Sequence, residues 1–309
     1  MYWPYAYTDL FYFTFWPRAY EVGYWAYAYD DFFDGIFFPY GAPYVNYAHQ
    51  GPYEYYASAG TTTGSAAAPA RVPGEVTKPV AQVCREPDSG ITAWPFERIE
   101  KAVNPSDEQQ ALLAELKQAA DEAADRFKEA CPEYVPMTPT GRLAVMMDRL
   151  QATFDAVRLV RPPLEKFYQS LSDEQQARFN AIGPDLGKKP PPAGPDEARA
   201  ECGGDKAGLT VIPIERIETV LDPTAEQAAQ LEKLSGAVDQ AAETLAKACP
   251  NDVPLTPVGR LEVMQLRLEA MLEAGRTVRP PLEEFYASLT SEQKARFNRL
   301  GRETASSDR

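Results

Sequence analysis

Histidine is almost missing from this 309-residue chain, with His49 its one example. Zinc, copper and nickel centres draw on clusters of His and Cys, so no transition-metal site and no cofactor are expected. Lysine and arginine never gather into a block, and 45 acids against 31 bases leave a net charge of −14. A protein that grips phosphates needs a basic stripe, so nucleic acid is not an expected partner. No apolar run approaches the ~20 residues of a membrane span. Met1 is followed at once by Tyr2-Trp3-Pro4, without the basic start and small-residue cleavage site of a signal peptide.

Cysteine is also scarce, and its spacing is regular. Cys84 and Cys131 lie 47 apart, and so do Cys202 and Cys249. Four cysteines allow three pairings. The repeated spacing favours Cys84–Cys131 and Cys202–Cys249, with four free buried thiols as the other reading. A bridge closing a loop of that length contributes roughly 4 kcal/mol by chain-entropy arithmetic. Disulfides form in oxidising compartments, so the chain is expected to be exported, with its signal upstream of Met1.

What the chain does have divides into three kinds of sequence. Residues 1–56 hold 24 of the 35 aromatic residues, no lysine and one arginine, Arg18. Amphipathic rings suit contact with a protein partner or a membrane interface, and stacked tyrosines suit self-assembly. Trp3, Tyr5, Trp16, Trp25, Tyr27, Tyr29, Phe37 and Tyr40 are the candidate partner or assembly contacts. A disordered, sticky tail is the plain alternative. Residues 57–82 are small and Pro-rich and read as a flexible linker. The remainder is a duplication. Segment 91–183 matches 209–301 at a constant offset of 118 without a gap, with 50 of 93 positions identical. Helical repeats are expected over 83–183 and 201–301, joined by a Pro-rich linker at 184–200, with a tail at 302–309.

Both copies parse as helices. Short elements, "WPFERIEKAV" and "IPIERIETVL", lead in. A long helix follows, its apolar residues stepping 3-4-3-4-3 through Leu231, Leu234, Val238, Ala241, Leu245 and Ala248, the pattern of helix-on-helix packing. Copy one places Leu113, Leu116, Ala120, Ala123, Phe127 and Ala130 at the same points. Thr138 and Thr256 precede Pro139 and Pro257, a combination that starts helices. The next helix steps through Leu143, Met146, Leu150, then Thr153 or Phe154, Val157 and Val160. Pro162-Pro163 and Pro280-Pro281 are expected to kink or end it, with a shorter helix following through Phe167-Tyr168 and Phe285-Tyr286. A last helix is expected to run to Gly183 or Gly301 as C-caps.

A short box, Ser/Thr-x-Glu-Gln, occurs four times: Ser106–Gln109, Ser172–Gln175, Thr224–Gln227 and Thr290–Gln293. At a helix start the hydroxyl accepts from the backbone three residues on, and Gln reaches back to the capping residue's own amide. The box is thus expected to cap helices. No nucleophile–base pair recurs beside it, and no enzyme is expected. Arginines repeat between the copies, and Arg142 and Arg149 share a helix face. They and Arg260 and Arg267 are the candidates for a client groove, the plainer reading being solvated partners of acids. Phe167, Tyr168 and Phe179 suit either core or client contact.

"LSDEQQARF" at Leu171–Phe179 and "LTSEQKARF" at Leu289–Phe297 resemble the LTxxQ motif of Spy/CpxP-like periplasmic proteins. The earlier boxes keep "PSDEQ" and "PTAEQ", with Pro105 and Pro223 at the motif's Leu position. The resemblance covers both repeats. It implies small all-helical proteins of the bacterial periplasm that act as ATP-independent chaperones or stress accessories and hold unfolded clients on a concave face. Two tandem repeats could supply within one chain what such proteins form by dimerising. The expectation is therefore an all-α protein of two tandem helical-hairpin or bundle repeats, with an irregular aromatic segment at its start. It is expected to lie in the periplasm or envelope and to bind protein clients or an envelope partner. The alternative is a structural subunit of an envelope or surface assembly, polymerising or anchored through residues 1–56.

Overall fold

The computed structural model describes residues 96–130, 138–182, 214–248 and 256–298. The aromatic segment 1–56 with its candidate contact residues, the linkers, and Cys84, Cys131, Cys202 and Cys249 lie outside the described residues. Within them every element is a helix. Repeat 1 holds α1 (Phe96–Val103), α2 (Asp107–Glu129), α3 (Pro139–Ser170) and α4 (Asp173–Asn180). Repeat 2 holds α5 (Ile214–Leu221), α6 (Ala225–Lys247), α7 (Pro257–Ser288) and α8 (Ser291–Phe297).

The 3-4 stepping decides which faces are buried. Leu113, Leu116, Ala120 and Ala123 line α2, and Leu231, Leu234, Val238, Ala241 and Leu245 line α6, all buried. Each long pair is an antiparallel hairpin. Gln109, near the start of α2, donates to the Ser170 carbonyl at the end of α3, and Lys166 pairs with Glu115. The expected starts at Thr138 and Thr256 are in place, each hydroxyl accepting from the Gly141 or Gly259 amide at 3.1 Å. Where the pattern left Thr153 or Phe154 open, Thr153 takes the buried position and Phe154 is half-buried.

Three expectations about helix limits are resolved by packing. Pro162-Pro163 and Pro280-Pro281 do not end their helices: α3 and α7 each run 32 residues through them. The same apolar face continues on both sides of the prolines, through Val160, Leu164 and Phe167 in α3 and Val278, Leu282 and Phe285 in α7, all at 0% exposure. Burying each such side chain is worth about 1.5–3 kcal/mol, which offsets the roughly 3 kcal/mol cost of an interior proline. No separate short helix therefore follows the prolines. The last helices stop at Asn180 and Phe297, capped by Ala181 and Asn298, before Gly183 and Gly301 are reached. A cap the sequence did not suggest closes α1 and α5. Asn104 and Asp222 take positive φ of 48° and 45°. Their amides bond the Glu100 and Glu218 carbonyls at 2.8 and 2.9 Å, the left-handed C-terminal cap usually filled by glycine.

The two repeats pack on each other. Helix α2 lies on α3, α3 on α7 and α7 on α6, so the long helices stand side by side in the order α2–α3–α7–α6. The short helices pack as α1 on α4 and α5 on α8. One hydrophobic cluster includes residues of both repeats. Arg161, late in α3, bonds Glu262 and Gln265 early in α7. Arg279, late in α7, feels the charge of Asp148 early in α3. Both pairs can hold only when α3 and α7 cross antiparallel.

Candidate functional site

Each of the four boxes stands at a helix start. Ser172, Thr224 and Thr290 are N-caps of α4, α6 and α8 with complete capping boxes, and Ser106 exchanges the same two bonds with Gln109 at α2. A cap of this kind stabilises its helix by about 1 kcal/mol.

The glutamines do more than close their own boxes. In repeat 1 the Gln109 and Gln175 amides face each other. Gln109 Nε2 donates to Gln175 Oε1 at 3.0 Å, and Gln175 Nε2 donates back to Gln109 Oε1 at 2.9 Å. The second proton of each amide goes to a carbonyl at a helix end: Ser170 of α3 at 2.8 Å and Val103 of α1 at 3.2 Å. Each Oε1 also accepts the amide of its own N-cap, at 3.0 Å from Ser106 and 2.9 Å from Ser172. The pair therefore satisfies groups at two helix starts and two helix ends, which otherwise lack intrahelical partners.

Repeat 2 builds the same clasp. Gln227 and Gln293 exchange bonds of 3.0 and 2.9 Å. Gln227 donates to Ser288 at the end of α7, and Gln293 to Leu221 at the end of α5, at 2.9 and 3.1 Å. Only an amide can do this. Glutamate at the same place would complete a capping box but has no proton to give to the facing oxygen or the helix-end carbonyl. The clasps differ in depth: Gln227 and Gln293 are 6% and 7% exposed, whereas Gln109 and Gln175 are half-buried. Sequence reasoning placed these glutamines at helix starts and missed their pairing. The available signal was the separation of 66 residues between paired boxes, the same in both copies.

The motif's Leu171 and Leu289 are buried C-caps of α3 and α7. Beneath them Phe167 packs edge-on against Phe179 at 6.0 Å between ring centres, and Phe285 against Phe297 at 5.8 Å. These four rings are core, at 0–1% exposure. Tyr168 and Tyr286 are half-buried and donate to Asn180 and Asn298 at 3.1 and 3.2 Å.

The arginine groove fares differently. Arg267 is 1% exposed. It sits on the interior face of α7 and lines no open groove, because the 3-4 stepping that buries Leu261, Leu268 and Met271 carries it inward. The side chains of Arg142, Arg149 and Arg260 lie outside the described residues. The arginines that do join elements are others. Arg161 bonds Glu165 at 2.7 Å, Glu262 at 3.0 Å and Gln265 at 3.2 Å. Burial works against its charge, but Glu165 and then Glu262 outweigh that and raise its pKa above the ordinary arginine value. Arg279 is raised by its hydrogen bond to Glu283 and that carboxylate's charge, with a smaller contribution from the Asp148 charge.

Among the described residues, no group of three or more His, Cys, Asp or Glu is placed to hold a metal ion, and no helix is long and apolar enough to cross a membrane. Leu266, at 55%, is the exposed large hydrophobic residue among them.

These features define a tandem-repeat, all-helical protein. Each repeat is tied at the ends of its long helices by a pair of capping glutamines. The chain belongs to the LTXXQ motif family, whose pattern matches residues 91–183 and 211–301, and it is Spy/CpxP-like in that sense. No curated protein and no solved structure matches it.

Proposed function

We propose that this chain is a non-enzymatic, ATP-independent client-holding protein of the periplasm or cell envelope. The observation that carries the reading is the family match across both helical repeats, together with the packing of α3 on α7, which unites the repeats in one chain. A pair of hairpins side by side sets four long helices next to one another in one chain. The test is size-exclusion chromatography of the full chain mixed with reduced, carboxymethylated α-lactalbumin, a permanently unfolded polypeptide. Co-elution is expected. Separate elution at micromolar concentrations would contradict the reading.

A second reading is favoured by the 24 aromatic residues within positions 1–56. In it the chain is a structural subunit that polymerises or anchors through that segment, on itself, an envelope partner or a membrane interface. Electron microscopy separates the two. Filaments or large particles that vanish on deletion of residues 1–56 support the structural subunit, and small particles throughout support the client-holding protein.

A further inference from the structure

Holding an apolar client segment needs contiguous apolar area, of the order of a few hundred Å². One exposed leucine among the described residues does not supply it. Among the described residues, a further apolar face lies between the repeats. Met147, Phe154 and Arg161 are seven residues apart on α3 and share one face. Arg161 reaches α7, so this is the face toward α7. On α7, Gln265, Leu272 and Arg279 occupy the equivalent positions at the offset of 118. Leu272 is buried, and Met147 and Phe154 are half-buried against the common core.

The crossing is not held equally at its two ends. At one end Arg161, steadied by Glu165, bonds both Glu262 and Gln265. At the other end Arg279 is steadied by Glu283 in the same way. Yet the positions equivalent to Glu262 and Gln265 are Ala144 and Met147, which have neither carboxylate nor amide. A perfect two-fold pairing would repeat every contact; here the Arg161 end is hydrogen-bonded across the crossing, whereas at the Arg279 end the Asp148 charge acts without such a bond.

We propose that the α3–α7 crossing opens from the end that holds Ala144, Met147 and Arg279, and that the face uncovered there, with Met147, Phe154 and Leu272, takes an extended apolar segment of an unfolded polypeptide. This rests on the client-holding reading and names its surface. The closed form then shields the apolar face, and the Arg161 clasp acts as the hinge end.

Two full-length variants push the opening in opposite directions. Ala144→Glu offers Arg279 a carboxylate at the opening end, and Asp148→Asn removes the charge that attracts Arg279 there. Two readouts follow each: fluorescence of the apolar dye anilinonaphthalene sulfonate, and suppression of light scattering by urea-denatured malate dehydrogenase on dilution. The expected result is a roughly two-fold or greater rise in both for Asp148→Asn, the scale of a partly exposed charge pair, and a fall in both for Ala144→Glu, with helical circular dichroism unchanged. Holding that ignores both variants overturns the inference and leaves client holding intact. No holding by the wild-type chain overturns both. Dye binding that fails to follow the variants overturns the opening itself.

Discussion

Replacing Gln293 by glutamate isolates what the amide contributes. The variant keeps the capping box, because a carboxylate oxygen still accepts the Thr290 amide, which lies 2.9 Å from Gln293 Oε1. It loses the two bonds that Gln293 Nε2 donates, to Leu221 at 3.1 Å and Gln227 at 2.9 Å. Each lost bond costs about 1 kcal/mol, and each buried acceptor left unpaired adds about 1 kcal/mol or more. The sum is roughly 3–5 kcal/mol, a fall in Tm of about 10 °C for a unit of this size. The equivalent Gln175→Glu should cost only about 1–2 kcal/mol, because water reaches that half-buried clasp and replaces part of what is lost. Acidity supplies a second handle. Burial and two facing oxygens raise the introduced carboxyl's pKa above the ordinary ~4.3. A raised folded-state pKa means the folded form favours the proton, so the deficit is smallest below about pH 4.3 and grows as pH rises toward 7. Thermal unfolding of wild type and both variants at pH 4 and pH 7 measures this. A deficit equal in the two repeats, or unchanged between the two pH values, would mean that the buried amide protons do not carry this stability.

Further expectations follow from the helix ends and the crossing. Asp222→Gly should be neutral or stabilising by up to about 1 kcal/mol, and Asp222→Val should destabilise by about 1–2 kcal/mol, since only glycine takes positive φ freely; urea midpoints report both. Pro162→Ala restores a donor to the Arg158 carbonyl inside a continuous helix and should raise stability by about 1–3 kcal/mol, read in the same experiment; no gain would mean that the proline fits α3 without cost. Arg161→Ala should destabilise by up to about 1 kcal/mol, the scale of a partly exposed ion pair, and Arg279→Ala by less, because Arg279 has no hydrogen bond across the crossing to lose. A larger loss at Arg279 would contradict the one-ended clasp.

The parts of the fold legible in the sequence are those set by local chemistry. The 3-4 steps of Leu113 to Ala123 and Leu231 to Leu245 mark the buried faces, and a hydroxyl three residues before a glutamine marks a helix start. The offset of 118 showed two copies of one unit. What stayed hidden depends on tertiary closure. Pro162-Pro163 reads as a break because local propensity disfavours it, and only the buried face shared by Val160, Leu164 and Phe167 reverses that. Arg267 reads as surface by charge, but its register turns it inward. The pairing of Gln109 with Gln175 joins residues 66 apart, beyond any local pattern. The link from Arg161 to Glu262 has no mirror in the other repeat, so the duplication could not reveal it.

Two mutually packed LTXXQ repeats in one chain should hold unfolded clients without nucleotide. The most direct measurement is light scattering of urea-denatured malate dehydrogenase diluted into increasing amounts of the full chain, with no ATP present. Suppression should become complete near equimolar ratio and be weakened by the closing variant Ala144→Glu. Unchanged scattering at several-fold molar excess of the wild-type chain would contradict client holding.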